Sequence, residues 1–286
     1  MSFAKFSSAR TLTALAIMVL FLLPLLGLKA LIGGRAGSLL FGWVNLLDVF
    51  AFAESLLSSR SISLAVVYAV IPVVLAYLIL GRAFCGWVCP LDLIFRGIDR
   101  LKRRGERPAA PVAAAADVFS SVPRPRNSKP WRGVLIPVGF LAAAAAAGTP
   151  FFTAYVSPIT NCYRSLCAGV YCLAGLSGET SVLAVSLLIL AAFLLLDYLR
   201  PRLWCRNLCP VGRVYGLFSR VSLLHLELNP EGCNSCRSCE EACYMGVSIP
   251  SSPARRKIRD SSCILCGRCV EACPGRKSTL ALRFGK

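Results

Sequence analysis

The chain has 286 residues, of which 56% are hydrophobic, and its mean hydropathy of +0.64 is too high for an ordinary soluble domain. Its formal net charge of +18 could suggest nucleic-acid binding, but the lysines and arginines cluster between and after the apolar segments rather than along one helix face. The composition therefore indicates a membrane protein, and we expect no nucleic-acid partner.

Four apolar stretches are long enough to cross a bilayer, which takes about 20 helical residues. The sequence predicts four transmembrane helices, over residues 11–31, 62–81, 131–151 and 181–199. The first apolar run is longer than that of a typical signal peptide, and no small-residue cleavage site follows it. We therefore expect the first stretch to remain as a membrane anchor.

The basic residues indicate how these helices are oriented. Lysine and arginine number 11 in residues 82–132 and 15 from Arg200 onward, against 4 in 29–60 and 152–180 together. The positive-inside rule then places both termini and the 82–130 loop in the cytoplasm of a bacterial cell, with the chain crossing its inner membrane several times. Residues 105–130, which are rich in proline, alanine and arginine, are predicted to form a linker.

Eight of the 15 cysteines lie after residue 230, in two runs with the same C-x2-C-x2-C-x3-C spacing. Such runs bind two [4Fe–4S] clusters, because three closely spaced thiolates wrap one cubane while the fourth cysteine reaches the other cluster. That rule assigns the first cluster to Cys233, Cys236, Cys239 and Cys273. It assigns the second cluster to Cys263, Cys266, Cys269 and Cys243.

The predicted fold is an α-helical membrane protein with four transmembrane helices in two parallel repeats, followed by a small C-terminal α+β domain of the bacterial-ferredoxin type. We place the transmembrane domain at residues 1–221 and the cytoplasmic ferredoxin-like domain at 222–286. The chain has no C-x-x-C-H motif, one histidine and no dinucleotide fingerprint, so we expect neither haem nor nucleotide. That histidine, His225, lies in a strand-like segment and is expected at the surface.

The two parallel repeats are visible as a repeated motif. Residues 82–90 and 202–210 both match R-x-aromatic-C-x-x-aliphatic-C-P, 120 residues apart, just after the second and fourth apolar stretches. If the helix pairs pack with twofold pseudosymmetry, their cysteines converge. They could then bind a further metal, form reversible disulfides or line an electron path, or they could simply pack as small apolar residues. These cysteines are Cys85, Cys89, Cys205 and Cys209.

Two further segments are predicted to lie in the membrane interface. Residues 38–58 are apolar yet contain Asp48 and Glu54, which we take as candidate polar residues of a quinone site beneath an interfacial helix. A site on the outer face would lie roughly 30 Å from cytoplasmic clusters. Either the quinone therefore binds near the level of the repeated motif, or the motif cysteines supply a relay. Residues 91–104 form a basic amphipathic segment, expected to lie on lipid headgroups.

The outward loop 152–180 contains three cysteines at five-residue intervals. In an oxidising compartment we expect a structural disulfide there, with the odd thiol left free or paired with another chain. They are Cys162, Cys167 and Cys172.

Taken together, these features resemble the NapH/MauN type of membrane ferredoxin-like proteins. The resemblance rests on the four apolar stretches, on Phe84–Leu91 and Trp204–Gly212 with their C-x3-C-P motifs, and on the two ferredoxin runs. It implies a quinol dehydrogenase component that passes electrons from the quinol pool towards a periplasmic reductase, through an iron–sulfur protein and/or a c-type cytochrome. The three cysteines of the outward loop do not belong to that family pattern.

We expect quinone-linked electron transfer as the function, with membrane lipid and quinone as ligands. A second hypothesis is an electron-donating maturation factor that reduces a metal or cofactor for a partner metalloenzyme. No catalytic triad or phosphate-binding loop accompanies these motifs, so covalent catalysis is not expected.

Overall fold

The computed structural model describes residues 4–22, 31–33, 37–40, 44–60, 64–104, 132–149, 153, 156–173, 180–249, 256–274 and 279–285. This part of the chain is mostly helical and contains two small antiparallel sheets. The predicted linker at 105–130 lies outside the described residues.

The first part of the chain, up to residue 104, contains helices and one three-stranded sheet with the order β1-β2-β3. Its elements are α1 (Ala4–Leu22), β1 (Leu31–Gly33), β2 (Gly37–Leu40), β3 (Val44–Leu47), α2 (Val49–Ser59), α3 (Leu64–Leu80), α4 (Ala83–Trp87) and α5 (Pro90–Arg104).

The second part, up to residue 218, is helical where it is described. Its elements are α6 (Arg132–Ala147), α7 (Pro158–Leu173), α8 (Thr180–Leu199), a π-helical turn (Trp204–Leu208) and α9 (Pro210–Phe218). Helices α5 and α9 both begin at the proline of a C-x3-C-P motif, which suits the first helical position because proline lacks the N–H that would be unbonded there.

Each of the four apolar stretches contains a helix, namely α1, α3, α6 and α8. The predicted span 11–31 is too long at its end, because α1 ends at Leu22 and Leu31 already lies in β1. Helix α1 begins at residue 4, earlier than the apolar stretch that starts at residue 11. Within the described part of the chain, no helix combines the length and the apolar character needed to cross a bilayer.

The segment predicted as one interfacial helix over 38–58 is only partly helical. Residues 38–40 and 44–47 lie in strands β2 and β3, which pair antiparallel with Ser38 opposite Leu46. Helix α2 begins only at Val49, because the extended backbone of Asp48 precedes it and the carboxylate accepts a hydrogen bond from the Ala51 N–H at 3.4 Å. A helix-capping aspartate thus sets the boundary that the apolar pattern alone did not reveal.

The C-terminal region is a small α+β unit, as predicted. It consists of β4 (Leu224–Leu228), a 3₁₀ turn (Pro230–Gly232), α10 (Ser238–Glu241), β5 (Arg256–Ile258), α11 (Arg268–Ala272) and β6 (Leu280–Phe284), with sheet order β5-β4-β6. In the central strand, Leu226 lies opposite Ile258 and Leu282. The sheet begins at Leu224, close to the predicted domain boundary at 221–222, which itself stays a prediction.

Two glycines let this C-terminal unit pack closely against the helices. A Cβ atom at Gly86 would lie 2.7 Å from the carbonyl oxygen of Ile264, and one at Gly216 would lie closer still to the carbonyl oxygen of Ser261. Side chains do not approach backbone oxygens so closely, so the loop from Ser261 to Ile264 can rest on α4 and α9 only because both positions lack a side chain.

We expect Gly216→Ala to loosen this packing and to lower the free energy of unfolding by about 1–3 kcal/mol, the usual cost of overfilling a packed contact. The matched control is Gly97→Ala, since Gly97 lies on α5 with no atom near its missing Cβ. Alanine there should be neutral or stabilising by up to about 1 kcal/mol. Denaturant unfolding of the purified full-length chain measures both changes, and equal stability of the two variants would contradict the close packing.

Candidate functional site

Four cysteines of the C-terminal unit line one pocket. These are Cys233, Cys236, Cys239 and Cys273, which is the set that the sequence assigns to the first cluster. Apolar side chains, among them Leu228, Ile249 and Leu280, complete its wall. The pocket therefore offers four sulfur ligands against an apolar floor, a surrounding that suits an iron–sulfur cluster.

The second set of cysteines packs against the core of the same unit. Cys243, Cys263, Cys266 and Cys269 all contact the apolar cluster formed by residues such as Leu226 and Ile264. Burial, together with the nearby sulfur of Cys266, raises the pKa of Cys243 to about 11. Burial likewise raises the pKa of Cys263 to about 12. Grouped thiols of this kind lose their protons together only when a metal replaces the protons' positive charge.

The two cysteine loops share an unusual backbone. Ser235 and Arg237 have φ angles of 54° and 59°, and the equivalent positions 30 residues later, Leu265 and Gly267, have φ angles of 50° and 76°. Left-handed conformations at non-glycine residues are uncommon and occur often at functional sites. The same left-handed residues occur at equivalent positions of both loops. The two loops of the C-terminal unit therefore repeat one another in backbone conformation as well as in cysteine spacing.

Among the described residues, no three histidine, cysteine, aspartate or glutamate side chains lie close enough together to hold a single metal ion. This applies to both cysteine sets of the C-terminal unit and to the cysteines of the two C-x3-C-P motifs.

The structure brings the cysteines of the two C-x3-C-P motifs towards one another. Cys89, Cys205 and Cys209 pack against one apolar cluster, which contains Phe50, Leu91, Phe95, Phe193 and Trp204. Cys85 and Cys205 both pack against the core of the ferredoxin-like unit. Burial raises the pKa of Cys209 to about 12, with a further contribution from Cys85 of the other motif.

The arginine that opens each motif reaches into the other half of the repeat. Arg82 donates from Nη2 to the carbonyl oxygen of Cys205 at 2.6 Å, and its backbone N–H donates to Ser219 Oγ at 3.0 Å. Arg202 forms ion pairs with Asp92 at 3.2 Å and with Asp99 at 2.9 Å. Asp99 and Ser219 are 120 residues apart, as are the two arginines, so these contacts follow the pseudosymmetry.

A buried carboxylate holds several parts of the chain together. Asp92 of α5 is within 3.2 Å of Arg10 from α1, 3.0 Å of Arg96 and 3.2 Å of Arg202. The hydroxyl of Tyr244, in the ferredoxin-like unit, donates to Asp92 at 3.2 Å. We define these five residues as the Asp92 network.

The Asp92 network corrects one expectation and adds residues that the sequence did not single out. Segment 91–104 was expected on lipid headgroups, but Leu91, Asp92 and Phe95 are buried inside the protein. The apolar face of this amphipathic helix packs against its own chain. The recurring arginine at the head of each motif was the one sequence signal that pointed to a part of this network.

The two candidate quinone-site carboxylates lie in different surroundings. Glu54 is fully buried and accepts hydrogen bonds from the backbone N–H of Thr153, at 2.9 Å, and from its hydroxyl. Asp48 keeps a buried Oδ1 that has no hydrogen-bond partner among the described residues. Burial raises the pKa of Asp48 to about 6. Phe50, two residues after Asp48, packs in the same apolar cluster as Cys89 and Cys209, so the start of α2 lies close to the repeated motif.

Two further expectations are wrong. Cys162, Cys167 and Cys172 are free thiols on α7, where residues five apart are displaced by about 7.5 Å along the axis and point in different directions, too far for a disulfide within the chain. His225 is only 3% exposed, on the central strand β4, and its Nδ1 lies 3.0 Å from the carbonyl oxygen of Leu223. Its position in the middle of the sheet was not evident from its strand-like pattern.

Comparisons with known proteins agree with the iron–sulfur interpretation. A family model described as a 4Fe-4S binding domain matches residues 63–108 and again 182–228, and a model described as a 4Fe-4S dicluster domain matches residues 232–277. The chain is 32% identical to the ferredoxin-type protein NapH of Escherichia coli, over 91% of this chain and 83% of the relative.

Other relatives are similar over most of their length. NapH of Haemophilus influenzae is 28% identical over 98% of this chain and 91% of the relative. The methylamine utilization ferredoxin-type protein MauN of Methylorubrum extorquens is 28% identical over 84% of this chain and 75% of the relative. No solved structure matches the chain.

We expect Asp92→Asn to lower the free energy of unfolding by about 3–5 kcal/mol, because it leaves buried arginines without their shared counter-charge. The matched control is Glu227→Gln. The carboxylate of Glu227 lies 3.2 Å from Nε of Arg283, whose side chain is 56% exposed. That surface pair should contribute at most about 1 kcal/mol. Denaturant unfolding distinguishes the two, and a loss no larger than that of the control would show that the network does not stabilise the fold.

Proposed function

The chain belongs to the NapH/MauN-type ferredoxin-type proteins, and on that premise we propose that it is the membrane component of a quinol dehydrogenase. It is an iron–sulfur electron-transfer protein that contains 4Fe-4S binding domains. The observation that carries the proposal is that Cys205 packs both against the core of the ferredoxin-like unit and against the apolar cluster that contains Phe50, two residues after Asp48.

We propose that the cysteine sets of the C-terminal unit hold its two clusters as the sequence assigns them. Cys273 supports this exchange of ligands, because it lines the pocket of the first run although it belongs to the second. When bound, [4Fe–4S] clusters accept and release single electrons, which allows a two-electron donor to be coupled to one-electron acceptors. The apolar core beneath both loops limits the access of water to the sulfur ligands.

Serine substitution tests this assignment. Cys233→Ser and Cys263→Ser should each lower the iron content of the anaerobically purified chain by about four per molecule, because a cubane with one ligand removed is lost or weakened. Cys172→Ser is the control, since this exposed thiol on α7 should leave the iron content unchanged. Iron and acid-labile sulfide analysis measures the change, and an unaltered iron content in both test variants would contradict the assignment.

The proposed substrate is a quinol, which releases two electrons and two protons as it becomes a quinone. Asp48 offers a carboxylate oxygen that has no partner among the described residues, and Leu47, Ala51 and Val70 form an apolar cluster around α2 and α3. A quinol hydroxyl that donates to this oxygen would pass its proton to the carboxylate. Because Asp48 lies near the motif cysteines, such a site avoids the separation of a full bilayer that an outer-face site would impose.

We further propose that the protein resides in a bacterial inner membrane, with the cluster-bearing unit on the cytoplasmic side. Outward-facing apolar side chains support this location: Leu12, Leu64 and Leu188 are 72%, 74% and 71% exposed. Exposed apolar side chains on these three helices are favourable in lipid. The proposed acceptor is an iron–sulfur protein and/or a c-type cytochrome of a reductase complex.

The quinol test uses the full-length chain in lipid nanodiscs under anaerobic conditions. A quinol should bleach the visible absorbance of the clusters, and Asp48→Asn should slow this reduction by about 10²-fold, the lower range for loss of a positioned proton acceptor. Glu227→Gln is the control and should not change the rate, since Glu227 lies in the sheet of the ferredoxin-like unit.

Dithionite reduction serves as the reference for cluster integrity in this test. If dithionite reduces the clusters and no quinol does, the quinol dehydrogenase proposal fails. If quinol reduces the clusters of the Asp48→Asn variant and of the wild type at the same rate, the assignment of Asp48 fails and the quinone site lies elsewhere.

A further inference from the structure

The four motif cysteines are not used by the two clusters of the C-terminal unit. Each of the two matches to the 4Fe-4S binding domain contains one C-x3-C-P motif and therefore two of these cysteines. A cubane takes four thiolates, so neither segment can complete a site alone. Two cysteine pairs that face each other could together supply the four ligands of one cubane.

The contacts between the halves bring these pairs together. Arg82 of the first motif donates to the carbonyl oxygen of Cys205 in the second. Cys85 and Cys205, the first cysteines of the two motifs, pack against the same core. Cys89 and Cys209, the second cysteines, pack against the apolar cluster around Leu91 and Trp204. The same positions of the two motifs are thus placed in the same surroundings.

The surroundings also suit a negatively charged group. Arg82 is buried, with an exposure of 1%, and belongs to the backbone segment that presents Cys85 and Cys89. The backbone N–H of Gly212 lies 3.4 Å from Cys209 Sγ, in position to donate to it. Buried positive charge and N–H donors stabilise thiolate ligands and the cluster they hold.

We propose that Cys85, Cys89, Cys205 and Cys209 together bind a third [4Fe–4S] cluster, shared between the two repeats. Its place lies between Asp48 and the second cluster-binding loop of the C-terminal unit. Two contacts hold that loop there: Trp87 Nε1 donates to the carbonyl oxygen of Leu265 at 3.1 Å, and Arg10 Nη1 donates to that of Cys266 at 3.0 Å. The site accepts one electron from the quinone side and passes one electron to the C-terminal unit.

Iron stoichiometry tests the proposal without reference to activity. The anaerobically purified full-length chain should contain about 12 iron and about 12 acid-labile sulfide, whereas the two C-terminal clusters alone account for about eight of each. A wild-type content of about eight or about ten irons would overturn the third cubane. So would one stoichiometric zinc or copper ion in its place.

Variants locate the additional iron. Cys85→Ser/Cys205→Ser should lower the count from about 12 to about eight and remove one component from the low-temperature EPR spectrum of the reduced protein. The EPR signals of the other two clusters should persist and report that the C-terminal unit remains folded. Cys167→Ser, on α7, is the matched control and should retain all the iron.

An iron count in the double variant equal to that of the wild type would overturn the proposed ligands. If the double variant loses all iron, the single variant Cys89→Ser and the wild-type stoichiometry still decide the question. The proposal deepens the quinol dehydrogenase function but does not depend on it for its test. If the protein contains about 12 irons and quinol does not reduce its clusters, the third cluster is supported and only the quinol dehydrogenase function is contradicted.

Discussion

One buried carboxylate organises this protein. Asp92 is surrounded by the cationic side chains of Arg10, Arg96 and Arg202 and by the hydroxyl of Tyr244, which come from the N-terminal helix, from its own helix, from the second motif and from the ferredoxin-like unit. Buried ions are costly unless they are paired, so each of these segments is held where its charge or donor is satisfied. The guanidinium of Arg202 also lies 4.6 Å from the ring centroid of Tyr244, which adds a cation–π contact between the second motif and the ferredoxin-like unit.

The two motifs of the repeat match in sequence but differ in backbone and in charge. Arg82 has a φ angle of −83° and precedes an α-helix, whereas Arg202 has a φ angle of 61° and precedes a π-helical turn. A shift of 120 residues converts Asp92 into Gly212 and Asp99 into Ser219, so the first half supplies two carboxylates where the second supplies a glycine and a hydroxyl. Arg202 accordingly forms ion pairs, whereas Arg82 bonds to backbone carbonyl oxygens and lies against Gly212, where any side chain would collide with it. Both arginines are buried. Among the described residues Arg202 is paired with carboxylates, whereas the guanidinium of Arg82 donates to the carbonyl oxygens of Cys205 and Ser261.

This arrangement gives the redox groups an order along the molecule. Phe50, two residues after Asp48, packs in the same apolar cluster as Cys89 and Cys209, and Gly86 and Trp87 of the first motif contact the loop at Ile264 and Leu265. In the proposed function the electrons follow this order of contacts to the C-terminal unit. Electron transfer over such a path needs short separations between successive centres, which a quinone site on the far side of a bilayer would not provide. The absence of side chains at Gly86 and Gly216 lets the C-terminal unit pack directly against α4 and α9.

The sequence by itself determined the chemistry of the C-terminal unit and the presence of a helix in each of the four apolar stretches. Cysteine spacing specifies cluster ligands because loop length limits which sulfurs can reach one cubane, and apolar runs mark helices because both properties are local. Only the tertiary structure decided how distant charges pair, where His225 and α5 are buried, and which carboxylate lies near the motif cysteines. The partners of Asp92 come from residues up to 152 positions apart, and no local pattern records such a distance. Spacing fixes what a segment can bind, whereas long-range packing fixes which segments meet.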